Sequence, residues 1–220
     1  MVVFAVSLWS TSTAISGEPS PSVSRMPWSI SSLTADPRGS HTQYNAVLRG
    51  ITNLLGTTAA FHVDIGDYDE PPQENRRQID AVFGANHLWY IPVGNHEVET
   101  STDMDWVRAE YNNGNGIRAP LKNSSLQNGP ARSVETMYAV DYANAHLVFI
   151  NEYWNGGTAA GSDVALDGDM VPALRQWLDA DLKATTQPVK IVFGHEPAYL
   201  PVRHNHAGDS FRDRRVQCRD

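Results

Sequence analysis

An α/β fold is predicted by two features of the chain. Short β-branched or aromatic runs stop at glycine, and longer segments between them carry apolar residues at helical spacing. The runs are 59–65, stopped by Gly66-Asp67; 88–93, stopped by Gly94-Asn95-His96-Glu97; and 189–193, stopped by Gly194-His195. Each reads as a buried strand. Alternation of such strands with helices predicts parallel βαβ units with right-handed crossovers.

Taken in order, residues 10–27 are rich in Ser, Thr and Pro, so 1–27 reads as a leader or flexible segment, and order is expected to begin near Trp28. Trp28, Ile30 and Leu33 form a strand that leads into the turn Asp36-Pro37-Arg38-Gly39. Tyr44, Val47, Leu48, Ile51, Leu54 and Leu55 share one face of a helix over 41–55. A second helix is expected over 74–83, and a third over 103–111 with Thr102 or Asp103 as its cap. Residues 112–133 are rich in Asn, Gly and Ser and predict a long loop over the site face. Segments 137–142 and 146–151 flank Ala143-Asn144-Ala145 as an antiparallel hairpin. A helix over 169–184, with Leu174, Trp177, Leu178 and Leu182 on one face, feeds the strand that ends at Gly194.

The 220 residues suffice for a single core, read as one domain over 28–220. An excess of 25 Asp+Glu over 17 Lys+Arg gives a formal charge of −8, which argues against binding nucleic acid or anionic membrane nonspecifically. The single cysteine, Cys218, excludes an intrachain disulfide. The apolar run 2–9 is too short to span a membrane. It resembles a secretory signal but lacks the basic start, which leaves a secreted or periplasmic location open.

Open α/β sheets bind ligands beyond the carboxyl ends of their strands. There the chain places Asp67, Asn95 and His195, and a carboxylate, an amide oxygen and an imidazole together suit a divalent cation. Singly, each has a plainer reading: a turn aspartate, a left-handed asparagine, a hydrogen-bonded core histidine. Their recurrence at successive strand ends favours a metal site.

In order and spacing, Asp36-Pro37-Arg38-Gly39, Gly66-Asp67, Gly94-Asn95-His96-Glu97 and Gly194-His195-Glu196-Pro197 resemble the motifs of calcineurin-like metallophosphoesterases. The hairpin Tyr138-Ala139-Val140-Asp141-Tyr142 and the helix around Gln176-Trp177-Leu178 look like the purple-acid-phosphatase-like branch of that superfamily. The likeness covers roughly 28–199. It implies a four-layer αββα sandwich and hydrolysis of a phosphoester, small-molecule or macromolecular, by two metal ions (Fe, Mn or Zn) sharing a bridging hydroxide. By the same resemblance Asp36 binds the first metal, Asp67 bridges both, and Asn95 and His195 bind the second. His96 donates a proton to the leaving group.

Two departures qualify this picture. Arg38 stands where the family has a histidine ligand, and a guanidinium, which cannot ligate, is expected to face the substrate phosphate instead. The family's closing Gly-His-x-His segment has no match after His195, and 211–216 is too charged for a buried strand. His204 and His206 lie in a polar tail with no strand to place them. The expectation is therefore of a chain incomplete at its C-terminus, without its last strands. Two alternatives stand beside the enzyme: an inactive fragment or pseudoenzyme holding one metal or none, and a single-metal hydrolase or nucleotide-binding module built on Asp67, Asn95 and His195.

Overall fold

The computed structural model describes residues 4–7, 30–34, 37, 41–55, 60–68, 73–111, 125–130, 133, 136–157, 168 and 170–196. They form a mixed α/β structure with two four-stranded sheets. In the first sheet β1 (Phe4–Ser7) runs antiparallel to β2 (Ile30–Thr34), which is followed by the parallel strands β3 (His62–Asp64) and β4 (Trp89–Tyr90). Helix α1 (His41–Leu55) connects β2 to β3, and α2 (Gln73–Phe83) connects β3 to β4. The chain continues through α3 (Asn95–Glu99) and α4 (Ser101–Tyr111) to the second sheet. There β5 (Gln127–Asn128), β6 (Tyr138–Tyr142) and β7 (Ala145–Phe149) pair antiparallel, and β8 (Val189–Phe193) lies parallel to β7 after α5 (Pro172–Ala184).

The period of two along β3 sorts its side chains between two environments. His62 and Asp64 face the helices. The His62 ring nitrogens lie 2.8 Å from Ser32 Oγ and 3.0 Å from Thr34 Oγ1, and the ring stacks on Phe83 of α2. Asp64 accepts a 2.7 Å bond from the Tyr44 hydroxyl of α1. Phe61 and Val63 belong to the face turned to the second sheet, where Phe61 meets Tyr142 edge-on at 5.1 Å. Tyr90 of β4 stacks on Phe149 at 5.2 Å, and the Ile91 N–H donates to the Tyr138 hydroxyl at 3.1 Å. The two sheets therefore share one aromatic core. Each fully buried ring or branched chain in it contributes roughly 1.5–3 kcal/mol.

The outer face of the second sheet is covered by α5. Leu174, Trp177, Leu178 and Leu182 pack there on Met137, Ala139, Val148 and Ile150, as the helical spacing predicts. Within that sheet Tyr138, Phe149 and Phe193 lie in register on adjacent strands and stack at 4.8 and 5.0 Å. His146 is buried on β7 with one ring nitrogen 2.6 Å from Asp141 and the other 2.7 Å from Asp181 of α5, a structural role like that of His62.

Several sequence expectations shift. The ordered chain does not begin near Trp28, because Phe4–Ser7 already pairs with β2. Helix α4 is capped by Thr100, not by Thr102 or Asp103: the Asp103 N–H donates to Thr100 Oγ1 at 3.2 Å, and the Thr100 hydroxyl donates to the Asp103 carboxylate at 2.6 Å. Part of the expected 112–133 loop is β5, held to the sheet by the Gly129 N–H on Met137 O at 2.8 Å. The hairpin turn is Ala143-Asn144 alone, with Ala143 at φ +51° and Ala145 already in β7. Strand β4 is shorter than its apolar run, since Pro92 has no N–H for the ladder. Among the described residues no helix is long and apolar enough to cross a membrane.

Candidate functional site

Three strand ends meet at Gly66. After β3 the backbone turns through two left-handed residues, Gly66 at φ +79° and Asp67 at φ +56°. A Cβ on Gly66 would come within 2.5 Å of Gly94 N, beyond β4, and 2.9 Å of His195 Nδ1, beyond β8, so only glycine fits. Aspartate tolerates the second left-handed position better than most residues. The Tyr68 hydroxyl lies 2.9 Å from Asp64 O and 2.6 Å from Pro92 O, which fixes the ends of β3 and β4 against each other.

Of the expected trio Asp67, Asn95 and His195, Asp67 and His195 approach each other, and His96, next to Asn95, also lies against Asp67. Asp67 Oδ1 accepts the His96 N–H at 3.1 Å and lies 3.6 Å from His195 Nε2, and its Oδ2 lies 3.8 Å from His96 Nε2. Asp67 is 4 % exposed, so its carboxylate is nearly withdrawn from water. Asn95 begins α3, half-buried, between Gly94 and His96. Asp36 and Arg38 lie outside the described residues, as do His204 and His206.

The two histidines are held differently. His195 Nδ1 is 2.7 Å from Ile65 O. A carbonyl only accepts, so Nδ1 carries a hydrogen and Nε2 is the ring nitrogen turned to Asp67. His96 Nδ1 is 3.2 Å from Glu99 Oε2, a partner one helical turn away.

Two buried glutamates stand behind these loops, and sequence reasoning assigned neither a role. Glu97 accepts the N–H groups of Gly94 at 2.7 Å, Asp67 at 3.0 Å and Tyr68 at 2.7 Å, joining the ends of β3 and β4 through one carboxylate. Burial pushes its carboxyl up to about 8; the three N–H bonds oppose the rise and the Asp67 charge adds to it. The signal for Glu97 was its place three residues into a helix start, where a carboxylate reaches back to the capping N–H. Glu152 follows β7 and accepts the Glu196 N–H at 2.8 Å. Burial pushes it up to about 7, against the backbone N–H groups of Glu196 and His195, which pull it down. Tyr153 donates its hydroxyl to Glu196 Oε1 at 2.9 Å, and its ring lies 6.1 Å from that of His195. Burial, then the neighbouring Glu196, raise the Tyr153 phenol well above its usual range. The sequence signal was a fourth apolar strand ending in polar residues, Asn151-Glu152, without a glycine stop.

Among the described residues no three His, Cys, Asp or Glu side chains form a group that would hold a metal ion. The donor pair that is described has the chemistry such an ion needs. Asp67 Oδ1 and His195 Nε2 face each other at 3.6 Å, and a carboxylate oxygen and an imidazole nitrogen are both donors that Fe, Mn or Zn accepts. Fixing a ligating histidine through Nδ1–H on a backbone carbonyl is the usual outer support of a metal site. Compared with protein-family models, curated proteins and solved structures, the chain matches none.

Proposed function

We propose that the chain is a metal-dependent phosphoester hydrolase of the calcineurin-like, purple-acid-phosphatase-like type. The observation that carries this reading is the approach of His195 Nε2 to Asp67 Oδ1, with His195 oriented by Ile65 O. It is supported by the layer order, with helices outside each of two sheets that share a core, as the calcineurin-like sandwich requires. Asp67 would hold two metal ions, with Asp36 completing one position and Asn95 and His195 the other. When bound, Fe, Mn or Zn supplies Lewis acidity that lowers the pKa of water and screens phosphate charge.

The chain's own residues account for the rest. Glu97 fixes the left-handed Asp67 against α3, so the carboxylate is preorganised. His96 stands beside Asp67 with Glu99 on its other nitrogen, where it holds a proton for the leaving alkoxide. Arg38, by the resemblance, orients the substrate phosphate through its planar fork. The substrate is a phosphoester, and the net charge of −8 disfavours nucleic acid among the candidates.

The test is hydrolysis of an aryl phosphate by the purified chain loaded with Mn²⁺, Zn²⁺ or Fe, with metal per chain measured alongside. Metal-dependent turnover that is lost in Asp67→Asn is the expected result. Turnover that survives both metal removal and that substitution would overturn the proposal.

A further inference from the structure

We infer that Glu152 is a positioning residue that sets the orientation of His195 toward Asp67. This rests on Asp67 and His195 forming one site, but not on what that site hydrolyses.

Ile150 N–H still bonds Phe193 O of β8 at 3.0 Å, and beyond it the ladder stops. Asn151 then folds the chain back on itself: its Oδ1 accepts the Tyr153 N–H at 3.0 Å, a local turn that asparagine favours. The turn directs the buried Glu152 carboxylate at the segment following β8. Its Oε2 accepts the Glu196 N–H at 2.8 Å, and its Oε1 lies where a Cβ on Gly194 would come within 2.8 Å. Glycine at 194 thus lets the carboxylate sit directly against the backbone.

The next residue along is held as well. Tyr153 donates to the Glu196 side chain at 2.9 Å, and Gly168 leaves room for it, since a Cβ there would come within 2.7 Å of Glu196 Cγ. His195 therefore has a fixed peptide on each side and one ring bond, to Ile65 O. Release of the Glu196 N–H leaves its backbone free to rotate, and the 2.7 Å bond to Ile65 O is then the one to lengthen. Second partners of this kind are worth about 10–100-fold in metal affinity at sites that bind metal.

The experiment reads the His195 ring directly. In ¹⁵N-histidine-labelled full chain, long-range ¹H–¹⁵N correlations give the tautomer of each imidazole, with His195 assigned by its loss in His195→Gln. The expected result is an Nδ1–H tautomer in the wild type and in Glu152→Gln, whose amide oxygen still accepts the Glu196 N–H. Glu152→Ala is expected to give a mixture of tautomers, with the Kd for Mn²⁺ raised about 10–100-fold. Glu152→Asp, one methylene shorter, carries the test if the alanine variant does not fold. Leu174→Ala, a core deletion under α5, controls for lost stability and should leave the His195 signature unchanged. An unaltered His195 tautomer in Glu152→Ala or Glu152→Asp would overturn the inference. Absence of Mn²⁺ binding in the wild type would count against the metal-dependent function while the tautomer still decides the role of Glu152.

Discussion

Replacement of Glu97 by alanine should be among the most damaging single changes near the site. Its carboxylate is 2 % exposed and accepts three backbone N–H groups, from Gly94, Asp67 and Tyr68. Each buried donor left without a partner costs about 1–3 kcal/mol, and water entering the space left by the side chain limits the sum to roughly 3–5 kcal/mol. That is a large part of the 5–15 kcal/mol or so that usually separates folded from unfolded states. Glu97→Gln is a sharper probe. Its amide oxygen can replace Oε2, which takes two of the donors, but its NH₂ then faces the Tyr68 N–H, at a cost of about 1–3 kcal/mol. The order expected from urea denaturation midpoints is wild type, then Gln, then Ala. The pH dependence adds a second check. Because burial raises the folded carboxyl to about 8 from its ordinary 4.5, the folded state keeps a proton that the unfolded state releases between those values. Wild-type stability from this group therefore falls as pH rises through that window, and the deficit of the Gln variant shrinks. An alanine variant within about 0.5 kcal/mol of wild type would refute the reasoning, since changes of that size are typical of the surface.

Other substitutions have distinct signatures. Asp67→Asn should fold, because asparagine accepts the left-handed backbone and keeps the oxygen that bonds the His96 N–H, yet metal content and turnover should be lost; circular dichroism and metal analysis check both. His96→Ala should retain metal and lower kcat by about 10²–10⁴, less for aryl than for alkyl esters, which need more help from a proton donor. Gly66→Ala combines a left-handed φ with contacts to Gly94 N and His195 Nδ1, and a loss of about 2–5 kcal/mol is expected in thermal or urea unfolding. For His146, burial pulls the ring down, but its bonds to Asp181 and Asp141 outweigh that and leave it raised above 6.5. Its contribution is then complete below 6.5 and lost as pH rises through the higher folded value. His146→Gln should therefore show its largest deficit, about 3 kcal/mol, near pH 6 and a shrinking one in alkali, and a gap that widens with pH would contradict the ion-pair account.

The framework of the fold was legible because it depends on local period. Helix α1 occupies the 41–55 predicted from Tyr44, Leu48 and Ile51, and β8 covers its whole apolar run. Two of the glycine-stopped strands end with Asp67 and His195 3.6 Å apart, and the segment after the third puts the His96 N–H on Asp67. What the sequence hid was non-local. Glu97 takes N–H groups from a loop thirty residues upstream, and Glu152 from one more than forty residues downstream. Neither linear neighbourhood distinguishes a buried acceptor from a solvated surface carboxylate. The Thr100 cap was missed for a smaller reason, since Thr100, Thr102 and Asp103 are all competent caps and only the path of α3 selects among them.

The opposed donors of the site belong to different sheets. Asp67 extends from β3 of the first and His195 from β8 of the second. Their 3.6 Å separation is therefore a gauge of how far one sheet has slid over the other. The aromatic contacts that set this sliding, Tyr90 on Phe149 and Phe61 on Tyr142, carry no chemistry of their own. Trimming such a ring changes the jaw width of a calliper whose tips are the carboxylate and the imidazole. A change confined to the hydrophobic interior can thus alter the spacing of carboxylate and imidazole while both residues stay the same.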